Sequence, residues 1–273
     1  AFSGAINIVT HQRPTAPLEA QVESGSYGLV RAEARTAWNL APQWQTSVSG
    51  SFQRSDGATD NSAFKGGKAF AWLGYRSADF DLDLQAGTTL QDFGANTFYS
   101  AAYPNQWETT RRFLVSARAE SKGRVHLAPQ LSWLRSLDHF QLVKDSGTGE
   151  NFHRADTYAL GIDNWLEWAA GRTAFGAEMR HEGILSTKLG DPLEESEWEP
   201  VGGRSHTTGG TGIDADAPRY YKCDAGRTNF SAHLEHNLIL DHWTLSAGVL
   251  ANMNTALDSH WRFYPGVDAA WHS

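Results

Sequence analysis

Cysteine is almost missing from this chain: Cys223 is the only one in 273 residues. A single thiol makes no disulfide framework and no cysteine-based metal centre within the chain. Long apolar runs are missing too. No stretch reaches the roughly 18–20 consecutive apolar residues that a spanning helix needs, and the mean hydropathy is −0.47, so a helical membrane protein is excluded. Basic charge is in deficit, with 23 Lys and Arg against 31 Asp and Glu and a net charge of −8. Nucleic acid is therefore not an expected partner, because phosphate backbones demand a clustered basic surface. No proline-rich, serine-rich or charge-block linker divides the chain, which reads as one continuous architecture. A Gly-x-Ser-x-Gly elbow, a His-Glu-x-x-His pair, a phosphate-binding loop and a dinucleotide fingerprint are all absent, so no catalytic residue is assigned and an enzyme is not expected.

What the chain does have is aromatic side chains, 11 Trp, 8 Tyr and 13 Phe, in a polar background. It also has alternation of period two, the signature of strands with one wet and one oily side. In Thr173 to Leu185, Phe175, Ala177, Met179 and Leu185 share one parity, while Glu178, Arg180 and Glu182 share the other. Phe230, Ala232, Leu234, Leu238 and Leu240 alternate with Asn229, Ser231, His233, Glu235 and Asn237, with His236 an exception on the apolar parity. Phe80 to Gly87 and Trp44 to Gln53 repeat the pattern.

The connections alternate as well. Short turns are expected at Asn39 to Gln43, Ser77 to Asp79, Ser121 to Arg124, Ala170 to Arg172 and Leu240 to His242. Longer polar loops are expected at Ser55 to Gly67, Asp92 to Glu108, Lys144 to Arg154, Ser186 to Asp224 and Asn254 to His260. Segregation of loop length by side, with aromatic enrichment at low hydropathy, fits an all-β, transmembrane antiparallel β-barrel of the outer-membrane type, long loops outward. A soluble sandwich has no reason to sort its loops this way.

Gly4 to Thr10 reads Gly-Ala-Ile-Asn-Ile-Val-Thr. The string resembles, residue for residue, the last plug strand of TonB-dependent outer-membrane receptors. Leu18 to Ala34, with Ser24-Gly-Ser-Tyr-Gly28, is similar to that family's first barrel hairpin, and Phe93 to Trp107 is similar to a loop in Bacteroidetes-type members grouped with vitamin B12 receptors. The resemblance implies a 22-stranded barrel enclosing a plug, of which this chain holds about twelve strands. It implies that residues 1–13 end the plug domain and linker, and that 14–273 form the N-terminal part of the barrel. The chain does not begin with Met and its last residues look like mid-strand, so an excerpt of a longer protein is expected.

The function so implied is import of a scarce ligand, cobalamin, a siderophore or haem, across the outer membrane of a Gram-negative cell. Outer-membrane lipid and the inner-membrane energy transducer TonB, contacted through the missing N-terminal part, would be the other partners. A passive porin-type barrel and a soluble β-rich carbohydrate-binding protein are the alternatives. Candidate ligand contacts are Asn96, Phe98, Tyr99, Tyr103, Asn105, Gln106 and Trp107, since rings interleaved with amides offer stacking area and orienting hydrogen bonds. No cofactor is required. Calcium is a lesser expectation at Asp56, Asp60 and Asn61, because hard cations collect carboxylate oxygens. Arg31, Glu33, Arg35, Arg112, Arg118, Glu178 and Arg180 are expected to face the lumen and hold the plug. His139, His153 and His206 are read as solvated loop residues. The long Ser186 to Asp224 loop is either a closing lid or disordered without ligand.

Overall fold

The computed structural model describes residues 17–146, 149–202 and 218–272. The Ala1 to Thr10 segment, His206 and most of the glycine-rich stretch between Gly202 and Gly212 lie outside the described residues. The first strands are β1 (Leu18–Gly25), β2 (Leu29–Ala41), β3 (Trp44–Ser55), β4 (Phe64–Arg76) and β5 (Phe80–Gly94). They are followed by β6 (Trp107–Ser121), β7 (Val125–Gln141), β8 (Asn151–Trp168) and β9 (Gly171–Ser186). Three two-residue strands, β10 (Asp191–Pro192), β11 (Glu199–Pro200) and β12 (Tyr220–Tyr221), lie within the longest connection. The chain then returns through β13 (Cys223–Ile239), β14 (Trp243–Asn254) and β15 (Arg262–Trp271).

Twelve of these strands form one path, β1 to β9 then β13 to β15, every neighbour antiparallel to the next in chain order. Among the described residues the path does not close, and β1 and β15 are its edges. The register keeps side-chain parity from strand to strand. Thr36, Val48, Ala71, Ala86, Val115 and Trp133 stand side by side on one face, and Arg35, Ser49, Phe70, Gly87 and Leu114 on the other.

The sheet is strongly curved. Arg35 on β2 and Glu178 on β9 both line one concave space of about 800 Å³. Seven strand spacings of about 4.8 Å would separate them by about 34 Å in a flat sheet, so the polar face has curled inward. Arg31, Glu33, Arg35, Arg112, Arg118, Glu178 and Arg180 all fall on this concave parity. The opposite, convex face carries Val22, Val48, Leu84, Val115, Leu131, Leu160, Met179 and Leu234, all exposed. Nothing among the described residues covers them, and buried apolar residues number only five: Trp72, Ala95, Ala128, Phe152 and Tyr221. A single layer with no core and an apolar outer wall is stable only where lipid takes the place of the missing layer.

At the short-turn end the convex face ends in aromatic rings. Trp38, Phe80, Trp168, Trp243 and Trp271 are exposed there, and Trp44, Tyr75 and Phe80 form a chain of tilted rings with centroids 4.9 and 5.3 Å apart. His236, the apolar-parity exception, belongs to this girdle: its Nδ1 lies 2.9 Å from Thr173 Oγ1 and its ring tilts against Trp168. At the other end the strands run further than alternation indicates. β5 and β6 pair up to Gly94 and Trp107, and β4 resumes at Phe64. Backbone ladders need no apolar side chain, so polar residues continue them beyond the lipid belt. His139 and His153 are corrected accordingly: they lie on β7 and β8, not in a loop.

Candidate functional site

The long-connection end of the concave face holds a vestibule of about 390 Å³, lined by Tyr99, Ser100, Tyr103, Gln106, Glu108, Asp138, Phe140 and His153. The sequence builds it with a loop, residues 95–106, fastened by amides. Gln106 is fully buried; its backbone carbonyl accepts from Ala95 N (2.9 Å) and from Asn61 Nδ2 (2.6 Å). Its side-chain Oε1 accepts from Tyr99 N at 3.1 Å. Asn61 Nδ2 also donates to Pro104 O (2.8 Å), while Asn61 O accepts from Asn96 N (3.2 Å). Asn96 Nδ2 in turn donates to Asp60 O at 2.6 Å. Asn61 adopts φ +50°, a left-handed conformation that asparagine tolerates better than most residues. The β3–β4 and β5–β6 connections are thereby bolted into one unit.

The rings project from that unit. Phe98 and Tyr99 meet edge to face at 4.8 Å, and Tyr99 meets Phe140 edge to face at 5.2 Å. Tyr99 Oη donates to Glu108 Oε2 at 2.6 Å. This bond to the carboxylate, helped by partial burial and by the nearby Glu108 and Asp138 charges, pushes the phenol up to about 12, so it stays protonated. Phe98 remains 78% exposed and Tyr103 41% exposed, leaving stacking surface at the mouth.

The seven candidate contacts therefore divide. Phe98, Tyr99 and Tyr103 present ring surface, and Asn96 and Gln106 hold the loop. Asn105 is exposed, its carbonyl accepting from Lys144 N at 2.8 Å. Trp107 is separated from the others: it opens β6 on the convex parity, and Lys144 Nζ lies 3.5 Å above its ring. Of the residues considered for calcium, Asp56 and Asp60 are exposed, and the Asn61 amide nitrogen is directed at two carbonyls. Among the described residues no group of three or more His, Cys, Asp or Glu gathers in a metal-binding arrangement.

A second cluster joins the longest connection to the wall. Glu150, only 5% exposed, accepts from His139 Nε2 (2.7 Å) and Arg219 Nε (3.1 Å). Burial pushes its carboxyl up, but the hydrogen bonds and charges of His139 and Arg219 outweigh burial and hold it below its ordinary value. Arg154 Nη1 donates to Glu199 Oε2 at 2.7 Å and its guanidinium lies 5.6 Å from the ring centroid of Tyr221, whose phenol burial pushes up. The strand pair β11–β12 is thus pinned to the outside of the barrel wall. The charge on Glu199 was visible in the sequence; its partner, 45 residues away in Arg154, was not.

Along the concave face Arg76 of β4 pairs with Asp83 of β5 (2.6 Å) and Arg227 of β13 with Glu182 of β9, and three arginines pair within their own strands: Arg31 with Glu33 (3.0 Å), Arg118 with Glu120 (2.9 Å) and Arg180 with Glu182 (2.6 Å). Such half-exposed pairs contribute little stability and exchange partners readily.

No family model matches the chain, and no curated protein sequence matches it. Solved structures do. The siderophore receptor PirA from Acinetobacter baumannii superposes with a TM-score of 0.66 at 11% identity, over 96% of this chain and 42% of that one. The chain has the fold of an outer-membrane receptor barrel. PirA from Pseudomonas aeruginosa gives a TM-score of 0.62 at 12% identity, over 96% and 41% of the two chains. The FrpB iron transporter from Neisseria meningitidis gives 0.64 at 14%, over 93% and 43%. This chain thus spans less than half the length of the receptors it matches.

Proposed function

We propose that the chain is part of the barrel of an outer-membrane, TonB-dependent receptor in a Gram-negative cell. In this reading residues 1–13 end a plug domain and 14–273 begin the barrel. The receptor captures a scarce ligand at its outer mouth and admits it through the lumen when energy relayed from the inner membrane rearranges the plug. The observation that carries the reading is the polar concave face opposite an uncovered apolar convex one, with the aromatic vestibule at the long-connection rim. Siderophore and iron receptors of the same fold support it.

Phe98, Tyr99 and Tyr103 make first contact with ligand, and the in-strand ion pairs of Arg31, Arg118 and Arg180 trade partners with the plug. A rim of rings beside Glu108 and Asp138 suits a bulky ligand with stacking surface and hydrogen-bond donors, which a corrinoid or an iron complex supplies. Localisation of the full-length gene product to outer membranes, with calorimetric binding of cobalamin or a ferric chelate in detergent, is the test. Tyr99→Ala with Tyr103→Ala should weaken that binding by about tenfold to a hundredfold. A water-soluble product, or unchanged affinity in the double variant, contradicts the reading.

A further inference from the structure

The charge at the vestibule is of one sign. Glu108 and Asp138 both line it, on the concave parity of neighbouring strands: Asp138 stands beside Thr110 and Glu108 beside Phe140, one rung further out. No Lys or Arg lines the same space. Neither carboxylate forms an ion pair among the described residues. Arg112 lies on the next concave rung inward, beside Ser136, and its charge acts on Asp138, which leaves two carboxylates against one guanidinium. His153 adds no charge. Ser186 Oγ accepts from Lys188 N (3.0 Å) and Leu189 N (2.8 Å), so both of its lone pairs are used and its proton goes to His153 Nδ1, 2.9 Å away. The imidazole is therefore neutral, with its one N–H on Nε2.

Two buried polar atoms at the vestibule have no partner among the described residues. Gln106 is fully buried and lines the vestibule. Its Oε1 accepts from Tyr99 N, which fixes the orientation of the amide and leaves Nε2 an unpartnered donor. Asp138 Oδ1 is an unpartnered acceptor. Buried polar atoms are normally hydrogen-bonded, so an orphaned donor and an orphaned acceptor in one chamber describe a ligand by its complement: a donor towards Asp138 and an acceptor towards Gln106. Tyr99, Tyr103 and Phe140 line the same space, and ring faces beside carboxylates attract a cation.

We propose that the vestibule selects a ligand that carries a protonated amine beside an acceptor oxygen, the ammonium seated at Glu108 and Asp138 and the oxygen bonded to Gln106 Nε2. The inference rests on the receptor reading and narrows its ligand to a cation-bearing one. Calorimetry on the full-length protein in detergent compares a ferric trihydroxamate that has a free terminal amine with the same chelate acetylated at that amine. The free-amine chelate should bind about tenfold to a hundredfold tighter. E108Q/D138N should erase that preference; a glutamine oxygen at 108 still accepts the Tyr99 hydroxyl, and migration on unheated gels checks that the barrel is folded. The comparison in the parent protein needs no variant. Equal affinities in the parent, a preference for the acetylated chelate, binding of neither, or a preference that survives in E108Q/D138N overturns the inference. Any of these in a protein that fractionates with outer membranes overturns this inference alone, whereas a product absent from outer membranes overturns the receptor reading with it.

Discussion

Asn61 is the residue on which the shape of the vestibule turns, and Asn61→Ala tests that directly. The substitution deletes two hydrogen bonds, to Pro104 O and Gln106 O, each contributing about 1 kcal/mol. It also places alanine at φ +50°, where asparagine is better tolerated by up to about 1 kcal/mol. The sum, about 2–3 kcal/mol, falls on one loop, because the β5–β6 ladder persists without it. Local opening of residues 95–106 should become about 30- to 150-fold more frequent. Amide hydrogen exchange of the full-length protein in detergent reads this at Ala95, Asn96 and Tyr99, whose N–H groups donate to Gln106 O, Asn61 O and Gln106 Oε1. Asn61→Gly keeps the backbone conformation and loses only the side chain, so its effect should be the smaller. Unchanged exchange at those three amides in Asn61→Ala would show that the loop is held by something other than this amide.

Gly94→Ala should release the same loop, since a Cβ at Gly94 would lie 2.2 Å from the Asn61 carbonyl oxygen; faster exchange with normal barrel migration on unheated gels is expected. Leu131→Arg, mid-strand on the convex face, should lower barrel stability in bilayers by about 2–4 kcal/mol, whereas Ser132→Arg on the concave face should cost less than 1 kcal/mol, as read by urea titration of the folded band. The lowered carboxyl of Glu150 stabilises the pinned β11–β12 segment fully above the ordinary carboxylate value, near 4.3, and that stabilisation drains away as pH falls through the lower folded value. Quenching of Trp198 fluorescence should therefore stay constant from pH 7 to about 5 and rise only in stronger acid, while Glu150→Gln should be as quenchable at pH 7 as the parent in acid.

Much of the fold was legible because a barrel strand writes its two environments into alternate residues. Phe175, Ala177 and Met179 against Glu178 and Arg180, or Leu234 against His233 and Glu235, give both the strand and its faces without knowledge of any neighbour. The short turns were equally legible, since Ser77 to Asp79 and Leu240 to His242 interrupt alternation abruptly. Strand ends on the outer side were not, because Asp92, Phe93 and Gly94 continue a ladder with side chains that no lipid selects. For the same reason Trp107 could be grouped with Tyr99 and Tyr103: the twelve loop positions 95–106 hide which parity the chain resumes. The amide bolts were hidden more deeply. Asn61 and Gln106 are 45 residues apart, and an amide that binds backbone carbonyls leaves no sequence mark distinguishing it from one that binds ligand.

The apolar convex face should meet lipid and the charged concave face water. Single spin labels at V115C, R118C, M179C and R180C in the full-length protein, reconstituted into bilayers, test it by collision with oxygen and with a water-soluble nickel chelate. Residues 115 and 179 should be oxygen-accessible and shielded from nickel, and 118 and 180 the reverse. Labels at 118 or 180 that report lipid, or four labels that all report water, would contradict the account.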